Sequence, residues 1–342
     1  MGPSNKGIGL ITISLFNYLF IYFYLLFQVT LNRRYADRLP LYVGHELYSR
    51  GSKDMIFGDY GPSLVMHKKL IISSLQMFGD GLSGLEDRIL SSVGNLMSLC
   101  REMCGDETYD MRLDIDVTTF NVIASIVFGN RITKTDKSFI KLREAILLMM
   151  QSGVTLSLMN FYPVLRHLPN RELAEMREVL RERDRVLRDT YTTAEKNFRP
   201  GHVTNYIEAL LQTRLDMAAS NKGGGDPLSI DHIEMNIFDM FLGGVDTVST
   251  TMRWTIMYCI KWPHVQHKVQ QELDSVMGPP QETENYVTLA KKKELPYLNA
   301  TIYETLRLAS VLPFGVFHKS REDTVLAGYK LKKGKCFFYL SS

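Results

Sequence analysis

A long stretch without a charged residue near the N-terminus restricts the possible folds of this chain more than any other feature. It covers residues 8–31 and consists mainly of aliphatic and aromatic side chains. As an α-helix this stretch would be about 36 Å long, which exceeds the roughly 30 Å thickness of a bilayer's hydrocarbon core. The sequence therefore predicts one membrane-spanning helix at the N-terminus.

The charges on either side of this stretch predict its orientation. Lys6 precedes it, whereas Arg33, Arg34 and Arg38 follow it, so the positive-inside rule places the rest of the chain on the cytoplasmic side. A cleaved signal peptide is the alternative, but the apolar run is longer than usual for one and no small-residue cleavage site follows. We favour a retained membrane anchor over residues 1–33 and a folded body over residues 34–342.

The composition of the chain excludes several other classes of protein. Hydrophobic residues make up 45% and charged residues 23%, as in an ordinary globular protein. The net charge of +3 is small, and no run of basic residues alternates with aromatic ones, so nucleic-acid binding is not expected. The four cysteines fit neither a disulfide framework nor the spacing of a zinc site, and we interpret them as free thiols.

Most of the body has the apolar spacing of amphipathic helices. Helices are predicted over residues 141–150, 170–197 (with Asn170 as the N-cap), 230–277 (interrupted by Pro263) and 297–308. Residues 39–59 are expected to be irregular or to form short strands, and residues 111–115 to form a strand. Short β segments are predicted over residues 315–319, 324–331 and 336–340. The fold class is therefore mainly α with a small β region.

Two adjacent glycines, Gly243 and Gly244, lie inside a segment that otherwise consists of good helix formers and aromatic residues. Each costs about 1 kcal/mol relative to alanine, so close approach of a flat ligand or of another helix should offset them. The hydroxyl of Thr247, one turn beyond Gly243, is able to donate back to that turn and widen it. Together with the carboxyl group of Asp246 it is suited to passing protons to a bound molecule. The alternative is helix packing through small residues.

A second segment of interest carries Glu304 and Arg307, which are three residues apart and therefore neighbours on one helical face. Taken alone, such a pair is a commonplace surface ion pair worth a few tenths of a kcal/mol. Its significance comes from the residues downstream of it, namely Pro313, His318 and the sequence Gly-Tyr-Lys-Leu-Lys-Lys-Gly at residues 328–334.

The order of these segments resembles that of the cytochrome P450 family, in which a Glu-x-x-Arg helix precedes a proline turn, a histidine and a Gly-Tyr-x-Leu-x-Lys-Gly hairpin. Residues 243–247 are similar to the family's oxygen-binding helix, and residues 57–62 to the start of the helix that covers one haem edge. Further matches lie at residues 120–129 and 262–273. The resemblance covers about residues 34–340 and looks most like the microsomal steroid hydroxylases and aryl-hydrocarbon hydroxylases.

The resemblance implies a haem-dependent monooxygenase in the endoplasmic reticulum membrane. Such an enzyme inserts one oxygen atom from O2 into a lipophilic, steroid-like or xenobiotic substrate, with electrons from an NADPH-dependent reductase. A cysteine thiolate holds the haem iron and promotes cleavage of dioxygen. Thr247 would deliver protons, with Asp246 as its acidic neighbour, while Gly243 and Gly244 would face the haem and Val245 the substrate.

The resemblance also implies roles for residues outside this helix. Lys68 and His318, and more loosely Arg38, would bind the haem propionates through charge-assisted hydrogen bonds. Phe314 and Val316 would line the substrate pocket. Glu304 and Arg307 would belong to a buried structural triad.

Some positions depart from the family's pattern. Leu64 stands where tryptophan is usual, Lys68 where arginine is commoner, and Ser310 where proline is frequent. The largest departure is that the sequence contains no match to the haem loop Phe-x-x-Gly-x-x-x-Cys-x-Gly. Cys336 comes too early for this loop and Cys259 lies on the long helix, so both are interpreted as packing residues.

Two functions are compatible with this departure. The first is a monooxygenase represented by an incomplete sequence, with residues 34–342 forming a partial catalytic domain. The second is a non-catalytic, membrane-anchored truncated family member that binds a lipid or a protein partner. Without a thiolate ligand, we expect neither normal haem ligation nor oxygen activation from these 342 residues alone.

Overall fold

The structure, a computed structural model, describes residues 36–77, 83–103, 108–151, 157–220, 228–278, 287–313, 315–326 and 329–337. The α-helices of these residues are α1 (Pro62–Met77), α2 (Ser83–Glu102), α3 (Arg112–Val127), α4 (Lys137–Gln151), α5 (Leu158–Phe161), α6 (Arg171–Asn197), α7 (Tyr206–Ala219), α8 (Ile230–Phe241), α9 (Thr247–Lys261), α10 (Pro263–Met277) and α11 (Pro296–Ala309). Two wider π-helical segments (Tyr42–Tyr48 and Leu242–Asp246) and two 3-10 turns (Pro163–Arg166 and Leu289–Glu294) complete the helical part. The described residues are thus mainly helical, as predicted.

The described strands are short and form two small sheets. They are β1 (Asp37–Arg38), β2 (His318–Lys319), β3 (Thr324–Leu326), β4 (Tyr329–Leu331) and β5 (Cys336–Phe337). β2 lies between β1 and β5 in an antiparallel sheet, and β3 and β4 form a hairpin. In the first sheet Arg38 is directly opposite His318, so the register brings together two basic residues that are far apart in the sequence.

None of the described helices is both long and apolar enough to cross a bilayer. The predicted span at residues 8–31 lies outside the described residues.

The core is built around α3 and the continuous helical run formed by α8, the π-helical segment Leu242–Asp246 and α9. α3 is buried on most of its surface, as expected for a helix with neighbours on all sides. Phe120 of α3 stacks on Phe241 of α8 with ring centroids 4.4 Å apart, and Phe139 of α4 meets its edge at 4.9 Å. Such aromatic contacts add roughly 1 kcal/mol each to the area they bury. They fix α3 and α4 against the central helical run.

The longest helix, α6, forms where the sequence predicts it. The side chain of Asn170 accepts a hydrogen bond from the Leu173 amide at 3.1 Å, which confirms the predicted N-cap. One face of α6 is buried and the opposite face carries charged residues, and the buried face bears Leu173, Met176, Leu180, Leu187 and Tyr191.

Two local predictions were wrong. Residues 111–115 belong to α3 and its start instead of a strand. Asp114 and Asp116 at the start of this helix are both buried, against the cationic partners Lys134 and Arg143. Residues 42–48 are π-helical, whereas an irregular or extended conformation was expected.

Residues 49–60, which we call the strap, run from the end of the first π-helical segment to α1. Arg50, Gly51 and Ser52 have φ values of 50°, 75° and 66°, which places three consecutive residues in the left-handed region. For Arg50 and Ser52 this conformation carries a steric cost, so other contacts of the strap must hold it. The main one is the side chain of Arg50, which pairs with three acidic residues: Asp184 (2.8 Å), Asp231 (3.0 Å) and Glu234 (2.5 Å).

Candidate active site

The glycine pair lies in a widened turn between α8 and α9. Leu242–Asp246 is π-helical, and the Thr247 hydroxyl donates to the Gly243 carbonyl oxygen at 2.6 Å. This confirms the predicted hydrogen bond and the predicted widening of the helix. π-helical turns inside α-helices occur frequently at functional sites, because they offer backbone groups that a regular helix keeps for itself.

The two glycines do not have equivalent surroundings. A Cβ atom on Gly244 would lie 2.4 Å from Cδ1 of Ile123, so the backbone here approaches α3 too closely for any larger residue without a shift. For Gly244 the structure thus shows the close helix packing that the alternative interpretation expected, and its contact with haem stays a prediction. Gly243 and Val245 are buried in the same turn.

Asp246 ends the widened turn and is half-buried. Burial raises the pKa of its carboxyl group above the ordinary value, and the positive charge of Arg143 on α4 opposes this rise. Thr247, the next residue, is also half-buried. A carboxyl group beside a hydroxyl group is an arrangement suited to general acid–base chemistry.

The three basic residues predicted to bind propionates come together from β1, β2 and α1. A guanidinium nitrogen of Arg38 contacts both ring nitrogens of His318, with Nη1 3.1 Å from Nδ1. Because arginine can only donate, a hydrogen bond from Arg38 requires that one of the two ring nitrogens of His318 accepts, as in a neutral imidazole. Burial and the positive charge of Arg38 lower the pKa of Lys68 to about 8, so the amine of Lys68 lies within electrostatic range of Arg38.

The acidic side chains that act on Arg38 only partly offset the effect of its burial. Burial lowers the pKa of Arg38 to about 10, and Asp54 and Asp59 partly offset the effect. Asp59 accepts from the Arg38 amide at 2.9 Å and from the Lys319 amine at 3.1 Å, so its carboxylate is engaged elsewhere. The Arg38 Nε atom is buried without a hydrogen-bond partner among the described residues.

These observations fit the carboxylate groups of haem. A buried guanidinium with an unused N–H, next to an imidazole and an amine, offers charge-assisted donors of the kind that bind carboxylates best. A buried N–H group without an acceptor, such as Nε–H of Arg38, destabilises the folded state. A carboxylate ligand at this position would accept from that group and so remove the destabilisation.

The Glu304–Arg307 pair forms as predicted but is not buried. Arg307 donates from Nε and Nη2 to the two carboxylate oxygens of Glu304 at 2.8 and 2.6 Å. The two side chains are 55% and 58% exposed, because no described element covers this face of α11. The expected burial in a structural triad is therefore not observed among the described residues.

The remaining predicted residues have varied outcomes. Val316 is half-buried just before β2, and Phe314 lies outside the described residues. Cys259 is buried in α9, in agreement with a packing role. Cys336 is exposed in β5, so the packing interpretation was wrong for this residue; the short outer strand leaves its side chain uncovered.

Sequence reasoning missed two buried acidic centres near the site. Asp54 of the strap and Asp239 of α8 are both buried, and Asp239 accepts from the Met55 amide at 2.7 Å. Burial raises the pKa of Asp54 to about 6, and burial together with the Asp54 charge raises the pKa of Asp239. The second centre is Asp116 on α3. An acidic residue within an apolar helix was the available signal for Asp239, but its partner in the strap was not predictable.

Comparisons with known proteins point to one family. A family model of cytochrome P450 matches residues 19–341. Steroid 17-alpha-hydroxylase/17,20 lyase is 33% identical over 307 residues in Gallus gallus, with 88% of this chain and 58% of that protein covered. The same protein in Squalus acanthias is 31% identical over 86% of this chain and 57% of its own length. The chain thus spans less than three fifths of these curated relatives.

Two further likenesses extend this result. Cytochrome P450 1A1 of Mesocricetus auratus is 29% identical, with 87% of this chain and 58% of that protein covered. A solved structure of a zebrafish cytochrome P450 with progesterone superposes with a TM-score of 0.78 at 27% identity, covering 93% of this chain and 72% of that chain. Because the family model covers nearly the whole sequence and the fold agrees, this chain belongs to the cytochrome P450 family, on the side of its microsomal steroid hydroxylases.

Proposed function

We propose that this chain forms part of a haem monooxygenase, namely the residues on the face of the haem where O2 binds. Such an enzyme inserts one atom of O2 into a lipophilic, steroid-like substrate. The observation that carries the proposal is the meeting of Arg38, Lys68 and His318 in one basic cluster. When bound, haem would supply the iron that activates dioxygen. The cluster and the widened turn at Leu242–Asp246 are the two features of the fold that such a cofactor requires from this part of the chain.

The residues of the chain would have separate tasks. Arg38 and Lys68 would hold the propionates by charge, and His318 would fix the orientation of Arg38. Asp246 would exchange protons with solvent, since it is half-buried, and Thr247 would pass them on from the widened turn.

A steroid-like substrate is supported by the named activity of the relatives in Gallus gallus and Squalus acanthias and by the zebrafish protein solved with progesterone. Buried Val245 and half-buried Val316 offer apolar surface for such a molecule, together with Phe314 by the family resemblance. The proposal includes an NADPH-dependent reductase as the electron donor. It also includes the endoplasmic reticulum membrane as the location, with residues 1–33 as the anchor and the body on the cytoplasmic side.

The 342 residues contain no Phe-x-x-Gly-x-x-x-Cys-x-Gly segment. We therefore propose that they hold the propionate side of haem without thiolate ligation, and that oxygen activation belongs to a polypeptide that also supplies this segment. The alternative is a non-catalytic, membrane-anchored family member that binds a lipid or a protein partner.

The first experiment separates these statements. Haem and its dimethyl ester are titrated into the 342-residue chain, since the ester keeps the macrocycle but removes both carboxylates. Haem is expected to bind about 10-fold to 100-fold more tightly, because hydrogen bonds to charged groups contribute about 1.5–3 kcal/mol. Arg38→Leu should reduce the difference to the part that Lys68 supplies, whereas Arg171→Leu, which removes an exposed arginine of α6, should leave the difference unchanged. Equal affinity for haem and ester in the unchanged chain would contradict the proposed site.

The same haem-loaded sample gives the second readout of this experiment. The carbon-monoxide difference spectrum of the reduced sample is expected to lack the band of a thiolate-ligated haem. A normal thiolate band would show that the chain supplies a cysteine ligand after all, and the non-catalytic interpretation would be wrong.

The pH dependence of haem binding offers a separate prediction for Lys68. Its folded-state pKa, lowered to about 8, means that the amine is charged below this pH and neutral above it. Haem affinity should therefore decline as the pH rises from about 7 to about 9, over which range the propionates stay ionised. Lys68→Arg should remove the decline, since a guanidinium stays charged. Lys69→Arg, at the exposed neighbouring position, is the control and should leave the decline intact.

A further inference from the structure

Two buried carboxyl groups contact the strap where it crosses α8. Asp239 of α8 accepts from the Met55 amide at 2.7 Å, while Asp54 of the strap accepts from the Phe57 amide at 3.0 Å and the Ser49 hydroxyl at 2.8 Å. The two carboxyl groups are thus bonded to amides that are two residues apart in one short loop. Asp54 and Asp239 are only 7% and 4% exposed, so water screens their charges little.

The two carboxyl groups differ in the hydrogen bonds that they accept. Oδ1 of Asp54 accepts two, whereas Oδ1 of Asp239 is buried and accepts none from the part of the chain that the structure describes. Hydrogen-bond donors stabilise the ionised form of a carboxyl group, and burial without donors favours the protonated form. Asp239 is therefore the member that retains a proton, and Asp54 is the member that ionises first.

One arginine acts on both carboxyl groups but is paired elsewhere. The charge of Arg183 on α6 favours the ionised forms of Asp54 and Asp239. Its guanidinium donates to Asp184 at 2.8 and 2.7 Å and to the Tyr48 backbone oxygen at 2.8 Å. Asp184 thus already balances much of the charge of Arg183. Two ionised carboxylates at this place would repel each other, and like charges that share a buried place keep one of the two groups protonated.

The other charged or titratable groups that face these carboxyls act on one of them each. Arg38 of β1 acts on Asp54 through its charge. On α7, burial and the charge of Asp239 raise the pKa of the Tyr206 hydroxyl group, so this group stays neutral at physiological pH. The cation of the strap itself, Arg50, is engaged by its three acidic partners.

We propose that Asp54 and Asp239 form an acid pair that latches the strap to α8. The strap is held closed while the pair retains a proton, and it loosens when both carboxyl groups are ionised. The repulsion between two buried carboxylates then opposes the hydrogen bonds from the Met55 and Phe57 amides. The latch does not require the proposed haem chemistry, because all of its contacts lie within the chain.

The pH dependence of the latch follows from the pKa values of the pair. Burial raises the pKa of Asp54 to about 6, and burial together with the charge of Asp54 raises the pKa of Asp239. An opened strap returns both groups to the ordinary value of about 4, so the closed strap binds protons more tightly. The resulting stabilisation of the closed strap is complete below about pH 4. It is lost as the pH rises through about 6 for Asp54, and at higher pH for Asp239.

Hydrogen exchange of the strap amides tests the latch in the 342-residue chain without cofactor. The opening constants of the Met55 and Phe57 amides are measured at pH 5 and pH 8. Each observed exchange rate is divided by the intrinsic rate at the same pH, which removes the base catalysis of exchange itself. The constants are expected to be at least about tenfold larger at pH 8, which is the share that a pKa of about 6 for Asp54 supplies alone. A ratio near one would overturn the proposal.

Two single variants and their combination separate a pair from two independent acids. Asparagine keeps an acceptor oxygen, so Asp54→Asn and Asp239→Asn retain the bonds to the strap amides but cannot ionise. Each should lower the ratio between pH 8 and pH 5, and the double variant should bring it close to one. Because the two charges repel each other, the product of the single-variant ratios should be smaller than the ratio of the unchanged chain. A product equal to that ratio would overturn the pairing.

Two further variants are controls. Asp231→Asn removes an exposed acid of α8 that binds Arg50 of the strap, and it should leave the ratio unchanged. His45 is tested because its backbone oxygen accepts from the Gly51 and Ser52 amides and because histidines ordinarily change charge in this pH range. Loss of the pH dependence in His45→Gln would overturn the latch. Should a variant of the acid pair fail to fold, the ratios of the unchanged chain and of His45→Gln still decide between the two outcomes.

Discussion

Replacement of Glu234 by leucine is expected to lower the free energy of unfolding by about 3 kcal/mol. The Glu234 side chain is completely buried on α8, where it pairs with Arg50 of the strap at 2.5 Å and with Arg188 of α6 at 2.6 Å. Leucine has a similar size but leaves the two arginines with less negative charge around them. The loss is placed at the lower end for a buried ion pair because Arg50 keeps Asp184 and Asp231 as partners. Urea unfolding followed by circular dichroism measures the change.

A matched control lies on the same helix. Asp231 contacts the same two arginines, at 3.0 and 3.5 Å, but its side chain is 47% exposed. Asp231→Asn should therefore cost less than about 1 kcal/mol, as is typical for exposed ion pairs. If Glu234→Leu and Asp231→Asn lower the free energy of unfolding by the same amount, the burial of Glu234 does not explain how its ion pairs stabilise the strap.

Thr247→Val is expected to reduce the rate of substrate oxygenation by about 100-fold, in the haem-loaded polypeptide that also carries the cysteine segment. Valine keeps the shape of threonine but cannot donate to the Gly243 oxygen, a bond of 2.6 Å in the structure. The variant thus removes both the hydroxyl group proposed to pass protons and the bond that accompanies the widened turn. The measurement is the rate of product formation, recorded together with the rate of NADPH consumption, which should fall less because unproductive oxygen reduction should continue.

Thr251→Val provides the comparison for this variant. Thr251 lies one turn further along α9 and makes the same kind of bond, from its hydroxyl to the Thr247 oxygen at 2.8 Å. It lies outside the widened turn, so its replacement should alter the product yield by less than about threefold. Equal losses in both variants would indicate a general effect on the helix, and no loss in Thr247→Val would exclude Thr247 as a proton donor.

Local sequence signals predicted the helices well, because their ends depend on single residues. Asn170 caps α6 as predicted, and Pro62 begins α1 at a position for which the fixed φ of proline is suited. Even the widened turn was predictable from a local signal, namely the spacing between Gly243 and Thr247. The exception at residues 111–115 arose because Asp114 and Asp116 are buried, and burial of a charge depends on partners that the local pattern does not reveal.

The basic cluster could be predicted only through the family resemblance. Arg38 and His318 are separated by 280 positions, and the register of β1 with β2 brings them together. No periodicity in the sequence encodes this pairing. The same reason explains why the Asp54–Asp239 pair and the Arg143–Asp116–Arg253 cluster were missed: each joins elements whose contact is decided by the tertiary fold.

The widened turn at Leu242–Asp246 has one further consequence, which concerns the phase of the helix on either side of it. A π-helical turn accommodates one residue more than a regular α-helical turn, and each residue of an α-helix advances the side chains by about 100°. The extra residue therefore sets the rotation of all of α9 relative to α8. Shortening the turn by one residue would swing Arg253 away from Asp116 and carry the neighbouring rings of Trp254 and Tyr258 to a new side, although neither ring lies in the turn. A single insertion or deletion in this turn would thus rotate α9 about its axis relative to α8, while each of the two helices stays intact.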